Sequence, residues 1–298
     1  MYLSHSTFDL RHMKYSFLLL LTLYSVGLTC GLQAQTAQSS ASSFLRQLKD
    51  TKWHMFGATS IKQLHYGNRE VSLVNANGNT VGNPLPMTVV RPGIAFWDID
   101  ANRQNWCFYS ARVQESIGAI VTGGAKLQIR GSPKRLPISS EKAFVSSLDG
   151  LVWETEDKSV AFTWKDGHLA VRKVGAVKDE EYTCKPVLPG VLQWHGVDGN
   201  TTLYVFDESG SHAWFLFVDR LWVTVKDGSL KSAPKVSGDV AGLSPFEQEV
   251  LLGLEHCIQA GEQDLSFLAY GELRQRLIKR KAPDEVLRAV HRRIDMKE

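Results

Sequence analysis

The chain states nearly the same pattern twice, and this constrains its fold more than any other feature. Pro92-Gly93-Ile94-Ala95-Phe96-Trp97 recurs as Pro189-Gly190-Val191-Leu192-Gln193-Trp194, an offset of 97 residues that holds without a gap to Gly131 and Gly228. Upstream, Leu48-Lys49-Asp50-Thr51-Lys52-Trp53 answers to Leu148-Asp149-Gly150-Leu151-Val152-Trp153 at an offset of 100, so a short insertion separates the two landmarks. Such a repeat means that one structural unit is built twice, and that features shared by both copies are those the fold demands. We take residues 48–135 and 146–232 as the two units.

Inside each unit the local signals are those of short strands. Val160-Ala161-Phe162-Thr163-Trp164 and Leu169-Ala170-Val171 flank Lys165-Asp166-Gly167-His168, a hairpin turn in which glycine supplies positive φ. Asn77-Gly78-Asn79, Asp100-Ala101-Asn102, Gly123-Gly124 and Asp227-Gly228 continue the punctuation. Turns this close together leave no room for crossover helices, which predicts antiparallel meanders or barrel-like units of about six to eight strands each. Alternation along the strand after each Pro-Gly then predicts two faces. Ala95, Trp97 and Ile99, matched by Leu192, Trp194 and Gly196, read as core; Phe96 and Asp98, matched by Gln193 and His195, read as a variable outer surface. Trp53, Trp153, Trp97 and Trp194 become the expected core anchors.

The ends of the chain have a different character. Met13-Lys14 followed by the uncharged run Tyr15 to Leu32 has the basic start and apolar middle of a secretory signal, expected to occupy residues 1–34 with cleavage after Ala34. Two rivals are an uncleaved membrane anchor and a lipoprotein using Cys30, although Gly27-Leu28-Thr29 lacks the small residue expected before a lipidated cysteine. Residues 35–47, rich in Ser, Ala, Gln and Thr, read as a flexible leader. At the other end, residues 244–298 read as a three-helix appendage. Ser244-Pro245-Phe246-Glu247 is a capping box, the periodicity of Val250, Leu251, Leu254, Cys257 and Ile258 carries the helix to Gly261, and amphipathic segments follow from about Leu265 and from Pro283. Acids early in this tail and bases late suit helix pairing; export argues against nucleic acid as the target of the bases.

Exposure to an oxidising compartment raises the question of disulfides. Cys107, Cys184 and Cys257 remain after cleavage, and either one bridge, such as Cys107 with Cys184, or three buried thiols is consistent with their number. The duplication supports no pairing, because Cys107 aligns with Tyr204 and Cys184 with Met87.

Chemistry is thinly marked. Zinc-protease, serine-hydrolase, phosphate-loop and Cys-x-x-Cys signatures are missing from the sequence. Asp98-Ile99-Asp100-Ala101-Asn102 begins like a calcium loop, but Arg103 stands where glycine is needed and Tyr109 where the bidentate Glu belongs, so a polar hairpin is expected. Asp207-Glu208-Ser209-Gly210-Ser211-His212 holds the residue types of a hydrolase triad on one short turn, where nucleophile and base rarely converge. The scattered histidines lack the spacing of zinc ligands. No cofactor or metal is expected.

Antiparallel meanders with a Trp near the head of each unit, together with the Pro-Gly and Asp-Gly punctuation, resemble the small lipocalin-like β-barrels of uncharacterised secreted bacterial proteins. Lipocalins proper carry a Gly-x-Trp that is replaced here by Thr51-Lys52-Trp53 and Leu151-Val152-Trp153. Fold likeness supplies no function by itself; the aromatic content, outer-face differences such as Asp98 against His195 and the missing catalytic motifs, with the signal segment, lead us to expect a mainly β, exported, periplasmic or extracellular protein without enzymatic activity that binds a small molecule, a glycan or an envelope protein through its β-units. Trp106, Trp214 and Trp222, whose counterparts are Leu203, Ile117 and Ala125, are the candidate ligand contacts because the duplication constrains them least. The rival expectation is an exported hydrolase of a polysaccharide or cell-wall polymer that draws its carboxylates from different strands.

Overall fold

A computed structural model describes residues 41–57, 60–131, 135–138, 140–165, 167–195, 200–228, 240–260 and 263–295. The expected signal segment lies outside them. The fold is mainly β, and each half of the duplication is a helix followed by eight strands. The first half comprises α1 (Ala41–Leu48), β1 (Thr51–Phe56), β2 (Ile61–Tyr66), β3 (Glu70–Asn75), β4 (Thr80–Pro86), β5 (Thr88–Arg91), β6 (Ile94–Asp100), β7 (Arg103–Tyr109) and β8 (Glu115–Ile129). The second comprises α2 (Glu141–Leu148), β9 (Val152–Glu154), β10 (Val160–Lys165), β11 (His168–Lys173), β12 (Glu180–Thr183), β13 (Lys185–Leu188), β14 (Val191–His195), β15 (Thr201–Phe206) and β16 (His212–Lys226). Three helices close the chain: α3 (Pro245–Ala260), α4 (Gln263–Lys279) and α5 (Asp284–Asp295).

The leader expected over residues 35–47 is helical from Ala41. Phe44 and Leu48 lie one turn apart and are wholly buried, and Phe144 and Leu148 repeat them in α2 at the offset of 100. The repeat therefore begins with its helix, earlier than the Trp landmarks suggest. The side chain of Ser140 caps α2 by accepting from the Ala143 N–H.

All sixteen strands belong to one antiparallel sheet, which is open rather than closed into barrels. Its spine is the long pair β8 and β16. Strands β7 and β15 pair with the earlier parts of β8 and β16 respectively, while the end of β8 pairs with β9 and the end of β16 pairs with β1. Each half thus takes its first strand's neighbour from the other half. The register follows the duplication closely: Trp53 faces Lys226, and Trp153 faces Ile129, the equivalent pair. Along the spine, His212 faces Gln128; moving both by the repeat offset turns them into Glu115 and Val225, which also face each other. A local two-fold relation thus runs through the middle of the spine, as in an isologous dimer whose protomers are tethered.

Three buried clusters follow from this pairing. Each half curls around an inner core of its own, with Phe44, Trp53, Leu64, Trp97 and Tyr109 in the first and Phe144, Trp153, Trp164, Tyr204 and Phe206 in the second. The third cluster lies on the opposite face, shared by both halves. There Ile94, Trp106 and Phe108 join Val191, Leu203 and Val205 beneath Leu251, Leu254 and Leu268 of the terminal helices. The expected C-terminal three-helix appendage is present and packs over the sheet. Gly253 makes the approach possible, since a Cβ there would stand 2.6 Å from the Cβ of Val223.

This cover corrects the face assignment. Ala95 and Trp97 are buried and Asp98 is exposed as expected, but Gln193 is only 6% exposed and Trp194 is half-buried, packed edge-on against Tyr182 at 4.5 Å. Gln193 of β14 instead lies against Gly271 of α4, so the face expected to be outer is covered there. Cys107, Cys184 and Cys257 are buried thiols outside any disulfide; burial pushes those of Cys107 and Cys184 up to about 12. Among the described residues no helix is long and apolar enough to cross a membrane.

Candidate functional site

Two concavities among the described residues differ sharply in character. The larger, about 890 Å³, is a polar cleft where the start of β15 and the middle of β16 meet the first turn of α3 and the last turns of α4. Ser244 and Glu247 form the expected capping box here: the Glu247 N–H donates to Ser244 Oγ at 3.3 Å and the Ser244 N–H to Glu247 Oε2 at 2.7 Å. Burial works against the charge of Glu247, but the bond from Arg280 Nε at 2.8 Å and those from Ser244 outweigh it and hold the carboxyl below its ordinary range. Glu272 of α4 accepts from the Thr201 hydroxyl at 2.6 Å. Burial pushes its carboxyl upward more than Thr201, Arg276 and Lys279 pull it down, and the charge of Asp219 adds to the rise. Two carboxylates in one cleft are thereby driven in opposite directions.

The smaller concavity, about 180 Å³, lies in the inner core of the first half. Leu64, Leu73 and Trp97 of that half form its apolar wall, and Trp222 reaches it from the second half because the end of β16 pairs with β1. Gly118 admits the indole: a Cβ at that position would stand 1.8 Å from Trp222 Nε1. Asn105 and Arg220 also line the pocket. Asn105 Nδ2 donates to Cys107 Sγ at 3.4 Å, which leaves Asn105 Oδ1 buried without a partner; Arg220 Nε and Trp222 Nε1 are likewise buried and unpartnered. Native interiors rarely leave such atoms unmatched, and here three of them belong to residues around one small cavity.

The three candidate tryptophans are placed apart. Trp106 is wholly buried under the helical cover, stacked on Phe96 at 4.6 Å and edge-on to the half-buried Trp214 at 5.9 Å. Lys126 Nζ stands 5.6 Å over the Trp214 ring. Of the three, Trp222 lines the smaller of the two concavities described above. Asn105, Arg220 and Glu272 escaped the sequence reading, although a signal existed for two of them: the copies differ at these places, with Thr202 aligned to Asn105 and Gly123 to Arg220. With Ala125 in place of Trp222, the interior of the second half instead carries the ring cluster Phe162, Tyr204 and Phe215, with centroids 5.1–5.8 Å apart.

The weaker motifs resolve into turns. Asp100 accepts from the Asn102 N–H at 2.9 Å and from Arg103 Nε at 2.7 Å, and Asp98 accepts from Gln104, so these carboxylates fasten a hairpin. On the second turn Asp207 stands between Ser209 Oγ at 2.9 Å and His212 Nδ1 at 3.5 Å. A catalytic triad needs the histidine in the middle. No group of three metal-ligating side chains occurs among the described residues. No protein-family model, curated protein or solved structure matches the chain.

Proposed function

We propose that this is an exported, non-catalytic binding protein that holds a small molecule in the interior of its first half. The pocket lined by Trp97, Trp222, Asn105 and Arg220 carries this reading, because a mostly apolar concavity with a few polar side chains in its wall is the usual form of a small-molecule site. The difference between the copies supports it: the second half keeps the strand plan but has glycine and alanine where the first half's pocket receives Arg220 and Trp222. Export rests on the basic, then apolar, character of Met13 to Leu32. Native mass spectrometry of protein recovered after export, with a denatured control, tests the reading. Extra mass lost on denaturation is expected; a bare protein that also binds no added small molecule rejects it.

A second reading, hydrolysis of a polysaccharide, is favoured by one observation, the pairing of Glu272 with Asp219 in the polar cleft. A carboxyl raised by burial beside an exposed one is the arrangement of a general acid and its partner. Release of reducing ends from cell-wall glycan, abolished by Glu272→Gln, would favour this reading over a carrier.

A further inference from the structure

We infer that the polar cleft binds an acidic polysaccharide, whose ring-borne acid group lies between Arg276 and Lys279 and whose hydroxyls face Asp219. This site is independent of the first-half pocket; it deepens the second reading by naming the class of polymer, and binding does not require that a bond be cut. Along α4, Glu272, Arg276 and Lys279 stand at i, i+4 and i+7, which places them on one stripe of the helix, and all three line the cleft. The stripe spans about 10 Å at the helical rise per residue. Asn200, Thr201 and Asp219 line the cleft from the start of β15 and from β16. At about 890 Å³ and open to solvent, the cleft admits a chain that runs on beyond it.

Selection follows from which charges are already matched. Arg280 is committed to Glu247 at 2.8 Å and to the Gly242 carbonyl at 2.7 Å. Arg276 has no carboxylate partner among the described residues; its guanidinium lies 4.9 Å over the Phe246 ring. Lys279 Nζ donates to the neutral Asn200 Oδ1 at 3.0 Å. Two cations one turn apart thus keep their charge for an anion, and such charge-assisted bonds are the strong ones. Asp219 is exposed and accepts no hydrogen bond from the described residues, so it is open to a donor such as a hydroxyl. Carboxylates interleaved with cations repel a dense polyanion whose every unit is charged. A sugar chain that alternates acid groups with hydroxyls suits both signs. Among the described residues no aromatic ring lines the cleft on which nucleic-acid bases could stack.

Calorimetric titration of the full-length exported protein with oligogalacturonate, its neutral methyl ester, a sulfated galactan oligosaccharide and inorganic polyphosphate separates charge from sugar. At least one acidic sugar should bind saturably and about tenfold more tightly than the ester, since a hydrogen bond to a charged group is worth that much; the tighter of the two tells carboxylate from sulfate. Arg276→Gln and Lys279→Gln should each lower that affinity about tenfold and leave the ester within about twofold. Asp219→Ala should weaken the acidic sugar and strengthen polyphosphate, whereas parallel changes in the two overturn the assignment. Ester or polyphosphate bound as tightly as the acidic sugars overturns it, as does the lack of saturable binding by either acidic sugar. Should Arg276→Gln misfold, undiminished binding by folded Lys279→Gln does the same. Saturable binding without release of reducing ends rejects hydrolysis and supports the cleft as a binding site.

Discussion

At the scale of single residues, the two carboxylates of the polar cleft show how place decides chemistry. Glu247 is held below its ordinary range, so its contribution to stability is present above the unfolded value of about 4.5 and is lost as pH falls through the folded one. Glu272 is raised, so the folded state takes up its proton more readily than the unfolded chain, and stability declines as pH climbs from about 4.5 through the folded value. Urea midpoints measured across the acid range should therefore diverge. Relative to the parent protein, Glu272→Gln gains as pH rises, whereas Glu247→Gln loses; parallel curves for the two variants would contradict the opposed shifts. Only one of these residues was legible beforehand. The capping box marks Glu247 by local spacing, but Glu272 sits among Arg274, Arg276 and Lys279 and reads as part of a solvated face until β15 is laid against it.

At the scale of elements, the terminal helices are held to one another and to the sheet by charges in unusually dry positions. Glu255 of α3 and Arg293 of α5 meet at 2.8 Å with side-chain exposures of only 9% and 11%. Glu249 reaches the sheet instead, accepting from Lys62 at 2.8 Å and from the Gly57 N–H at 2.9 Å. Removing one member of a buried pair strands the other, so Arg293→Met is expected to cost about 3 kcal/mol in chemical denaturation. Glu255→Met combined with it should recover most of that loss; a double variant no better than the single one would show that the pair is not the cause. The segregation of acids and bases along the tail announced this helix pairing. It could not announce that α3 lies on β16 and β1, because that contact depends on Gly253 meeting Val223 across the chain.

At the scale of the whole molecule, the two halves are not independent domains. The end of β16 supplies Trp222 to the first inner core, and the end of β8 supplies Leu127 and Ile129 to the second. Cutting the chain between Ile138 and Ser140 should accordingly leave two fragments that do not fold alone but recover the native near-ultraviolet signal of their tryptophans when mixed. A first-half fragment that folds as a stable monomer would contradict the exchange of strands.

What the sequence determined by itself was whatever local spacing and repetition can carry: a mainly β duplicated body, hairpins at Asn77-Gly78 and Asp100-Ala101-Asn102, core tryptophans at 53 and 153, and three helices at the end, the first opened by a capping box; the Gly123-Gly124 pair, expected as a turn, lies inside β8. Turn chemistry, alternation and capping act within a few residues, so they are written where they operate. Tertiary structure alone decided the rest. Whether two copies make separate barrels or one sheet depends on which edge pairs with which, and backbone hydrogen bonds are blind to the identity of the residues they join. The burial of Gln193 and the placing of Trp222, Asn105 and Arg220 around one cavity follow from that choice of edges and from the helices that cover the shared face.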